Sequence, residues 1–378
     1  MSITITRIDP GQNIADFLKA GEVVFASDPA WAPPLKIEIE DRLNPKKNPF
    51  FERAQAAYFI ARRDGQIVGR CTASIDSEHN RVWNEKTGFF GFFDTLDDDA
   101  VGKALLDEAA AWLKARGMTR MMGPFSLYAN EDVGLLVEGF DTPPMIAMAH
   151  SRSWQDRIAT AAGLVKEKDL LAWRYDVGAI PPRALRAYEA INQMPEVKLR
   201  SVNPKNMRED LKLIMDIYND AWDGKWAMVP AMPAEVKKTA DDLSLILDPE
   251  LAFIAEVDGK AQAMCVCLPN LNEILHEKRN SHWLSALVSV GWRMKVANKP
   301  PRSARLMLLG IRKELRNVRK YMMLSAAMYV EVAKRGAAKG YQWGELSWTR
   351  EDDSPINAAI TLMGAKVYKR YRVYTRAL

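Results

Sequence analysis

Cysteine and histidine are scarce in this chain of 378 residues, which has three of the first and four of the second. Cys265 and Cys267 stand one residue apart in a strand-like run, while Cys71 is alone. That spacing excludes a disulfide framework and a zinc-ligand pattern, and it fits core packing in a reducing compartment. No apolar run approaches the ~18 residues that cross a bilayer. Met1 to Pro10 lacks a basic segment followed by an apolar one, so no secretory signal is expected and the expected location is the cytoplasm. No Ser-His-Asp or Cys-His pattern and no glycine-rich ATP loop emerges, and no metal site is expected. A dominant charge of one sign is also missing, since the net charge is +5. This mild excess of base suits a polyanionic cofactor or an anionic membrane surface. The Lys and Arg residues are too dispersed to indicate nucleic acid.

What is present is the composition of a soluble globular protein, 48% hydrophobic and 27% charged, with length for two ordinary domains. The most informative stretch is Arg305 to Leu378. Leu306 to Ile311 reads as a buried strand, and Arg312 to Lys320 as a basic turn. Tyr321 to Lys339 has helical spacing and stops at Gly340. Trp343 to Trp348 reads as a second strand, Pro355 to Met363 as a short helix ending at Gly364, and Ala365 to Arg376 as a last strand. A basic turn before a helix is either a solvated surface or a phosphate cradle, because helix N-termini attract anions and guanidinium groups add charge-assisted bonds.

The chain also repeats itself. Tyr58 to Cys71 contains an Asp-Gly between two strand-like runs, a hairpin signal. Phe59, Ile60, Ala61, Asp64, Gly65 and Cys71 reappear at one common offset as Phe253, Ile254, Ala255, Asp258, Gly259 and Cys265. Ala115-Arg116-Gly117 answers Ala338-Lys339-Gly340 at a larger offset, which locates an insertion, Leu271 to Pro300, in the second copy. In the first copy the fourth strand (Gly88 to Phe93) runs into Asp94, Asp97, Asp98 and Asp99, where like charges would repel a phosphate. Gly123 to Pro144 is too long for a plain connection and reads as an ordered loop. Its Asn130 and Glu131 either tie that loop together or point into a cleft. Trp222, Trp226 and Met228 form either core or an apolar wall. Within the insertion, Trp283 to Val296 is either a packed helix or an interfacial one or lid over a lipid chain, flanked by Arg293, Lys295 and Lys299. The 18 methionines and 11 tryptophans fit a flexible apolar ligand.

The strand, basic turn, helix, strand, helix, strand order resembles the acyl-CoA-binding half of the GNAT acyltransferase superfamily. In that family the turn after the fourth strand follows V-x-x-x-x-R/Q-x-x-G-x-G/A. Here Ile311 takes the Val position and Arg316 the Arg position, while Arg319 and Tyr321 replace the two glycines. The resemblance implies an α/β protein of two fused GNAT-like modules, each a mixed twisted sheet flanked by helices. It places a degenerate module without a CoA site in residues 1–177, a linker helix in 178–196, and the acyl-CoA module in 197–378 with its insertion at 271–300. Ile311, Arg312, Arg316, Arg319 and Lys320 are the implied cofactor-binding residues.

GNAT-type transfer moves an acyl group from a CoA thioester to an amine and needs a base within hydrogen-bond reach. The family often supplies a Tyr within N-x-x-A-x-x-x-Y-x-x-x-G after the fifth strand. Counted back from Gly364, Asp353 holds the Asn position and Ile360 the Tyr position, so the usual acid is absent. Replacement candidates are Glu345, Asp352, Tyr368 or Tyr371, and, in the insertion, Glu273 and His276.

A closer likeness covers nearly the whole chain. Lys47-Asn48-Pro49-Phe50, Asn130-Glu131-x-x-Gly134, Phe140-Asp141-Thr142-Pro143-Pro144, Tyr218-Asn219-x-Ala221-Trp222 and Tyr368-Lys369-x-Tyr371-Arg372-x-Tyr374 are similar to a bacterial double-GNAT family that includes the bacterial ceramide synthases. It implies transfer of a long acyl chain from acyl-CoA to a sphingoid base such as 3-oxosphinganine. Asn130, Glu131, Trp222 and Trp226 would then line the acceptor cleft. Peripheral contact with the inner face of the cytoplasmic membrane is a further expectation, and nucleic acid is not an expected partner. An amino acid or polyamine acceptor, or a non-catalytic lipid- or CoA-binding protein, are the rival readings.

Overall fold

Both Asp-Gly hairpins close through two left-handed residues, Asp64 (φ 50) with Gly65 (φ 82) and Asp258 (φ 50) with Gly259 (φ 73). Two-residue turns of this kind match the twist of the flanking strands. The structure, a computed structural model, describes residues 2–128, 131–279, 281, 283–295 and 299–378. Its first half comprises β1 (Ile3–Ile8), α1 (Ala15–Phe25), α2 (Lys36–Leu43), the hairpin β2 (Ala54–Arg63) and β3 (Gln66–Asp76), and α3 (Ser77–Trp83). β4 (Thr87–Thr95), α4 (Asp99–Lys114), β5 (Arg120–Gly123), β6 (Leu135–Glu138), α5 (Gln155–Ala161) and β7 (Val165–Asp176) complete it. α6 (Pro182–Asn192) leads to β8 (Val197–Ser201), α7 (Met207–Trp222), α8 (Pro233–Ile246), and the second hairpin β9 (Ala252–Val257) and β10 (Lys260–Pro269). Next come α9 (Leu271–Glu277), α10 (Trp283–Lys295), β11 (Ser303–Ile311) and α11 (Lys313–Arg316). The chain ends with α12 (Leu324–Ala338), β12 (Trp343–Arg350), α13 (Ser354–Leu362) and β13 (Lys366–Ala377).

The strands form one sheet ordered β1-β2-β3-β4-β5-β13-β7-β12-β11-β10-β9-β8, with β6 also paired to β13. The order is nearly palindromic, as a duplication requires. At its centre the halves exchange closing strands: β13 from the second half pairs with β5 of the first, and β7 from the first pairs with β12 of the second. The two copies therefore meet along backbone hydrogen bonds as well as side chains.

Strand alternation divides the core between two faces. On one face Phe59 packs with Val101, Leu105 and Ala109 of α4, and Phe253 packs with Leu324, Ala327 and Met328 of α12. On the other, Tyr58 and Ile60 meet Phe17 of α1, while Ala252 and Ile254 meet Leu211, Ile214 and Ile217 of α7. Among the described residues, the middle of this second face has no helix of its own. Met145, Met148, Phe125 and Val133 from the long 124–150 connection cover it, against Tyr371 and Val373 of β13.

Three elements depart from the sequence expectations. The Pro-rich passage after Trp31 contains α2, whose apolar periodicity is too short to stand out. The ordered loop from Gly123 contains β6, which has a partner only because β13 arrives from the far end of the chain. The insertion folds as two helices, α9 and α10. The acidic turn also has a structural explanation. Asp94 binds Arg70 at 2.7 Å, Asp97 and Asp99 both hold Arg157, and Asp98 caps α4 by accepting from Ala100 and Val101. Each carboxylate has a cation or a helix end to neutralise it.

Candidate active site

β11 and β12 run parallel but pair only from Ser303↔Trp343 to Leu306↔Leu346. Past that point β11 stays with β10 and β12 turns to β7, so the two strands separate. Met307, Leu308 and Leu309 on one edge and Trp348 on the other are only half-buried along the opening. The first half has the same break, where β4 and β5 pair only from Thr87↔Arg120 to Phe89↔Met122. There the chain itself fills the gap. Phe125 N–H donates to the Phe90 carbonyl at 2.8 Å, and a Cβ on Gly91 would lie 1.7 Å from the Phe125 oxygen.

The basic turn lies at the open end of the C-terminal gap. Arg312 donates to the Ala261 carbonyl at 3.0 Å and pairs with Asp216. The Lys313 N–H donates to Asp220 at 2.8 Å, and its ammonium pairs with Asp223. Arg316 turns back on the backbone, donating to the Ile311 carbonyl at 2.9 Å and to the Ala221 carbonyl. Its guanidinium thereby clamps the turn to the end of α7, a role that sequence spacing did not disclose. Lys320 pairs with Glu196 at 2.5 Å, and Arg319 is exposed without an ion pair among the described residues. Where the family pattern has its two glycines, Arg319 and Tyr321 bound a single 3-10 turn. The N-terminus of α12 follows without a side-chain cap, leaving first-turn N–H groups open to an anion.

At the closed end sits a buried polar cluster. Glu345 on β12 is fully buried and accepts hydrogen bonds from the hydroxyls of Ser347 and Tyr368. Arg305, its cross-strand partner on β11, lies 3.9 Å away. The Arg305 guanidinium donates to Ser347 Oγ at 2.8 Å and to the carbonyls of Ile146 and Ala147 at 2.9 and 2.7 Å. A buried carboxylate is tolerated only with such partners. Burial, and then the Glu345 charge, push the Tyr368 hydroxyl pKa far upward, and burial lowers that of Arg305. Lys369 is also fully buried; its ammonium donates to the Thr142 and Pro143 carbonyls at 2.7 and 3.2 Å. Burial pulls it down to about 8, partly opposed by Glu345 and Asp141. Tyr371, beside this cluster, has a buried hydroxyl without a partner among the described residues.

The insertion braces the site. Asn270 accepts from Ile146 N–H at 3.0 Å and donates to Ser303 at 3.1 Å, Glu273 accepts from Ser303 at 2.9 Å, and Asn272 donates to the Met145 carbonyl at 3.0 Å. Glu273 is thus a tie between α9 and β11.

Of the expected catalytic residues, Glu345 and Tyr368 come together. Asp352 stands apart on the surface, paired with Lys168 at 2.8 Å. His276 bonds the Pro29 carbonyl at 2.7 Å and joins the insertion to the N-terminal half. Neither is bonded to the Glu345 cluster. Glu131 is held by Arg42 at 3.2 Å beside Asp132 and Glu38; burial, more than Arg42 opposes it, lifts its pKa to about 7. Asn130 lies outside the described residues. Trp222 stacks on Tyr218 at 4.8 Å and covers Gly310, where a Cβ would meet the indole at 2.5 Å. Trp226 lies 6.4 Å from the Phe125 ring, bridging the halves. Sequence reasoning missed Arg305, Ser347 and Lys369. One of them left a signal: Arg305 is a cation between Ala304 and Leu306 in a largely apolar strand. No group of three or more His, Cys, Asp or Glu side chains among the described residues could hold a metal ion.

Fold comparison and sequence comparison converge on one class. A tandem GNAT protein from the clavulanic acid biosynthesis pathway superposes over 100% of this chain and 98% of its own, with TM-score 0.57 at 11% identity. A GCN5-related N-acetyltransferase from Sphaerobacter thermophilus covers 99% and 95%, with TM-score 0.52 at 12% identity. The fold is that of a tandem GNAT protein. No family model matches the chain. A bacterial ceramide synthase from Caulobacter vibrioides is 36% identical over 93% of this chain and 92% of its own length. Protein YghO from Escherichia coli K12 is 33% identical over 96% and 92%. The chain belongs to the bacterial ceramide synthase family.

Proposed function

We propose that this protein is an acyl-CoA-dependent N-acyltransferase that moves a long-chain acyl group onto the amine of a sphingoid base. The observation that carries the reading is the buried Glu345–Tyr368–Ser347–Arg305 cluster at the closed end of a strand gap whose open end meets the basic turn. The relative named a bacterial ceramide synthase supplies the acceptor class. The pantetheine arm lies along Met307 to Leu309, with the phosphates at Arg319 and the uncapped start of α12. The acceptor amine attacks the thioester carbon; a C–N bond forms and the C–S bond breaks. The amine proton passes through the hydroxyl of Tyr368 or Ser347 to Glu345, and CoA leaves as thiolate and takes a proton. Arg305, across the strand pair from Glu345, offsets part of the cost of burying that carboxylate. The first half binds no CoA, because its gap is filled by its own chain and its turn is acidic. It completes the acceptor cleft through Phe125, Glu131 and the 124–150 connection, opposite Trp222 and Trp226.

Both substrates are lipids, and α10 fits a lipid surface. Val288 and Trp292, one turn apart, are 69% and 54% exposed, with Arg293 beside them. No described helix is long and apolar enough to cross a membrane. The proposed contact is peripheral and on the cytoplasmic face.

The test is CoA release from palmitoyl-CoA with 3-oxosphinganine, an amino acid or a polyamine as acceptor. Release that requires the sphingoid base supports the reading. Release with soluble amines alone overturns the acceptor assignment, and binding without release under every amine overturns the enzyme.

A further inference from the structure

On the sheet face opposite the Tyr371 cluster, between α12 and strands β10 to β12, lies an apolar cavity of about 60 Å³. Its wall begins at Leu306 and Leu346, the last pair before β11 and β12 separate. It continues past Ala304, Gly344, Ala333 and Gly336. Glu345 also contributes to the wall, next to Leu346 on β12.

Two features separate it from a packing defect. Interior helix positions disfavour glycine, because it adds backbone entropy to the unfolded state and fills no space. Yet Gly336 stands in the last turns of α12 where an added Cβ would meet nothing nearer than Tyr341 at 4.0 Å. The space is thus kept open by a residue that weakens its own helix. Second, Tyr341 stands in the wall, buried, with its hydroxyl unpartnered among the described residues. A fully packed core seldom leaves such a group.

We propose that this cavity receives the donor's fatty-acyl chain beyond the thioester and sets the preferred chain length. The inference rests on the acyltransferase reading. A thioester held where β11 and β12 part has its reacting carbon beside Glu345, and a long hydrocarbon needs an apolar space that begins there. The cavity begins at that pair and leads away from the acceptor face, so donor chain and sphingoid base do not compete for room.

The experiment compares kcat/KM for octanoyl-CoA and palmitoyl-CoA in the parent, Gly336→Leu and Leu251→Ala. Gly336→Leu puts a branched side chain into the open space, and Leu251→Ala enlarges the far wall. Loss of a few methylenes' worth of contact predicts a palmitoyl-to-octanoyl ratio about tenfold lower in Gly336→Leu. Leu251→Ala shifts the ratio toward longer chains such as stearoyl-CoA. Gly336→Ala, followed by circular dichroism, checks that α12 tolerates a side chain there. Ratios equal to the parent's in both folded variants overturn the cavity assignment. A parent inactive with every acyl-CoA overturns the acyltransferase reading instead.

Discussion

Replacing Lys369 with methionine isolates the energetics of the buried cluster. The folded protein holds this ammonium without solvent and without a carboxylate in salt-bridge contact among the described residues, so its pKa falls from 10.5 to about 8. In the unfolded chain the group keeps its proton up to its ordinary value. Between those two points the unfolded state binds more protons, so stability rises with pH. At ~1.36 kcal/mol per pH unit, the rise amounts to about 3 kcal/mol across the window. Lys369→Met removes that titration. It also leaves the Thr142 and Pro143 carbonyls without their donor, at about 1–3 kcal/mol each. Near pH 7 this loss and the relief from burying a charge oppose each other, and the two proteins differ little or modestly favour the parent. By pH 10 the parent is ahead by about 3 kcal/mol more. Urea unfolding of both proteins at several pH values from 7 to 10 measures this. Subtracting the curves cancels the tyrosines and cysteines common to both. A difference independent of pH would refute the reasoning, because Lys369 would then ionise alike in both states.

Tyr368→Phe removes one donor to the buried Glu345 carboxylate and leaves packing intact. The expected kcat loss is about 10²–10⁴-fold with acyl-CoA KM unchanged, read by steady-state CoA release; a kcat within twofold of the parent places the proton path elsewhere. Arg316→Ala frees the turn from α7, raising the KM for acyl-CoA with little change in kcat or in stability, since the side chain is exposed. An unchanged KM removes the turn from the phosphate site. Gly91→Ala forces a Cβ against the Phe125 carbonyl and costs about 3 kcal/mol, seen as a lower urea midpoint. Parent-like stability there contradicts the filled gap in the first half.

Much of the fold was legible because its signals are local. Asp64-Gly65 and Asp258-Gly259 announce two hairpins, and their shared offset reveals the duplication from the residues alone. The second half reads correctly from strand order, since each apolar run there is long enough to show its period. The exchange of β7 and β13 was not legible. No local pattern says which half of a duplicated sheet a closing strand will join. The site divides the same way. Glu345 and Tyr368 are visible as polar groups on terminal strands. Their assembly with Arg305, Ser347 and Lys369 depends on cross-strand neighbours contributed by separate parts of the chain. Asp352 and His276 were plausible by residue type alone, and their ion-pair and carbonyl partners lie outside the cluster.

The most direct test of the central claim is mass-spectrometric detection of N-acyl product from isotope-labelled palmitoyl-CoA and 3-oxosphinganine, with Glu345→Gln run in parallel. The account predicts labelled amide and one equivalent of free CoA from the parent, and almost none from the folded variant. Equal product from both proteins would contradict the role of Glu345, and free CoA without labelled amide would contradict transfer to this amine.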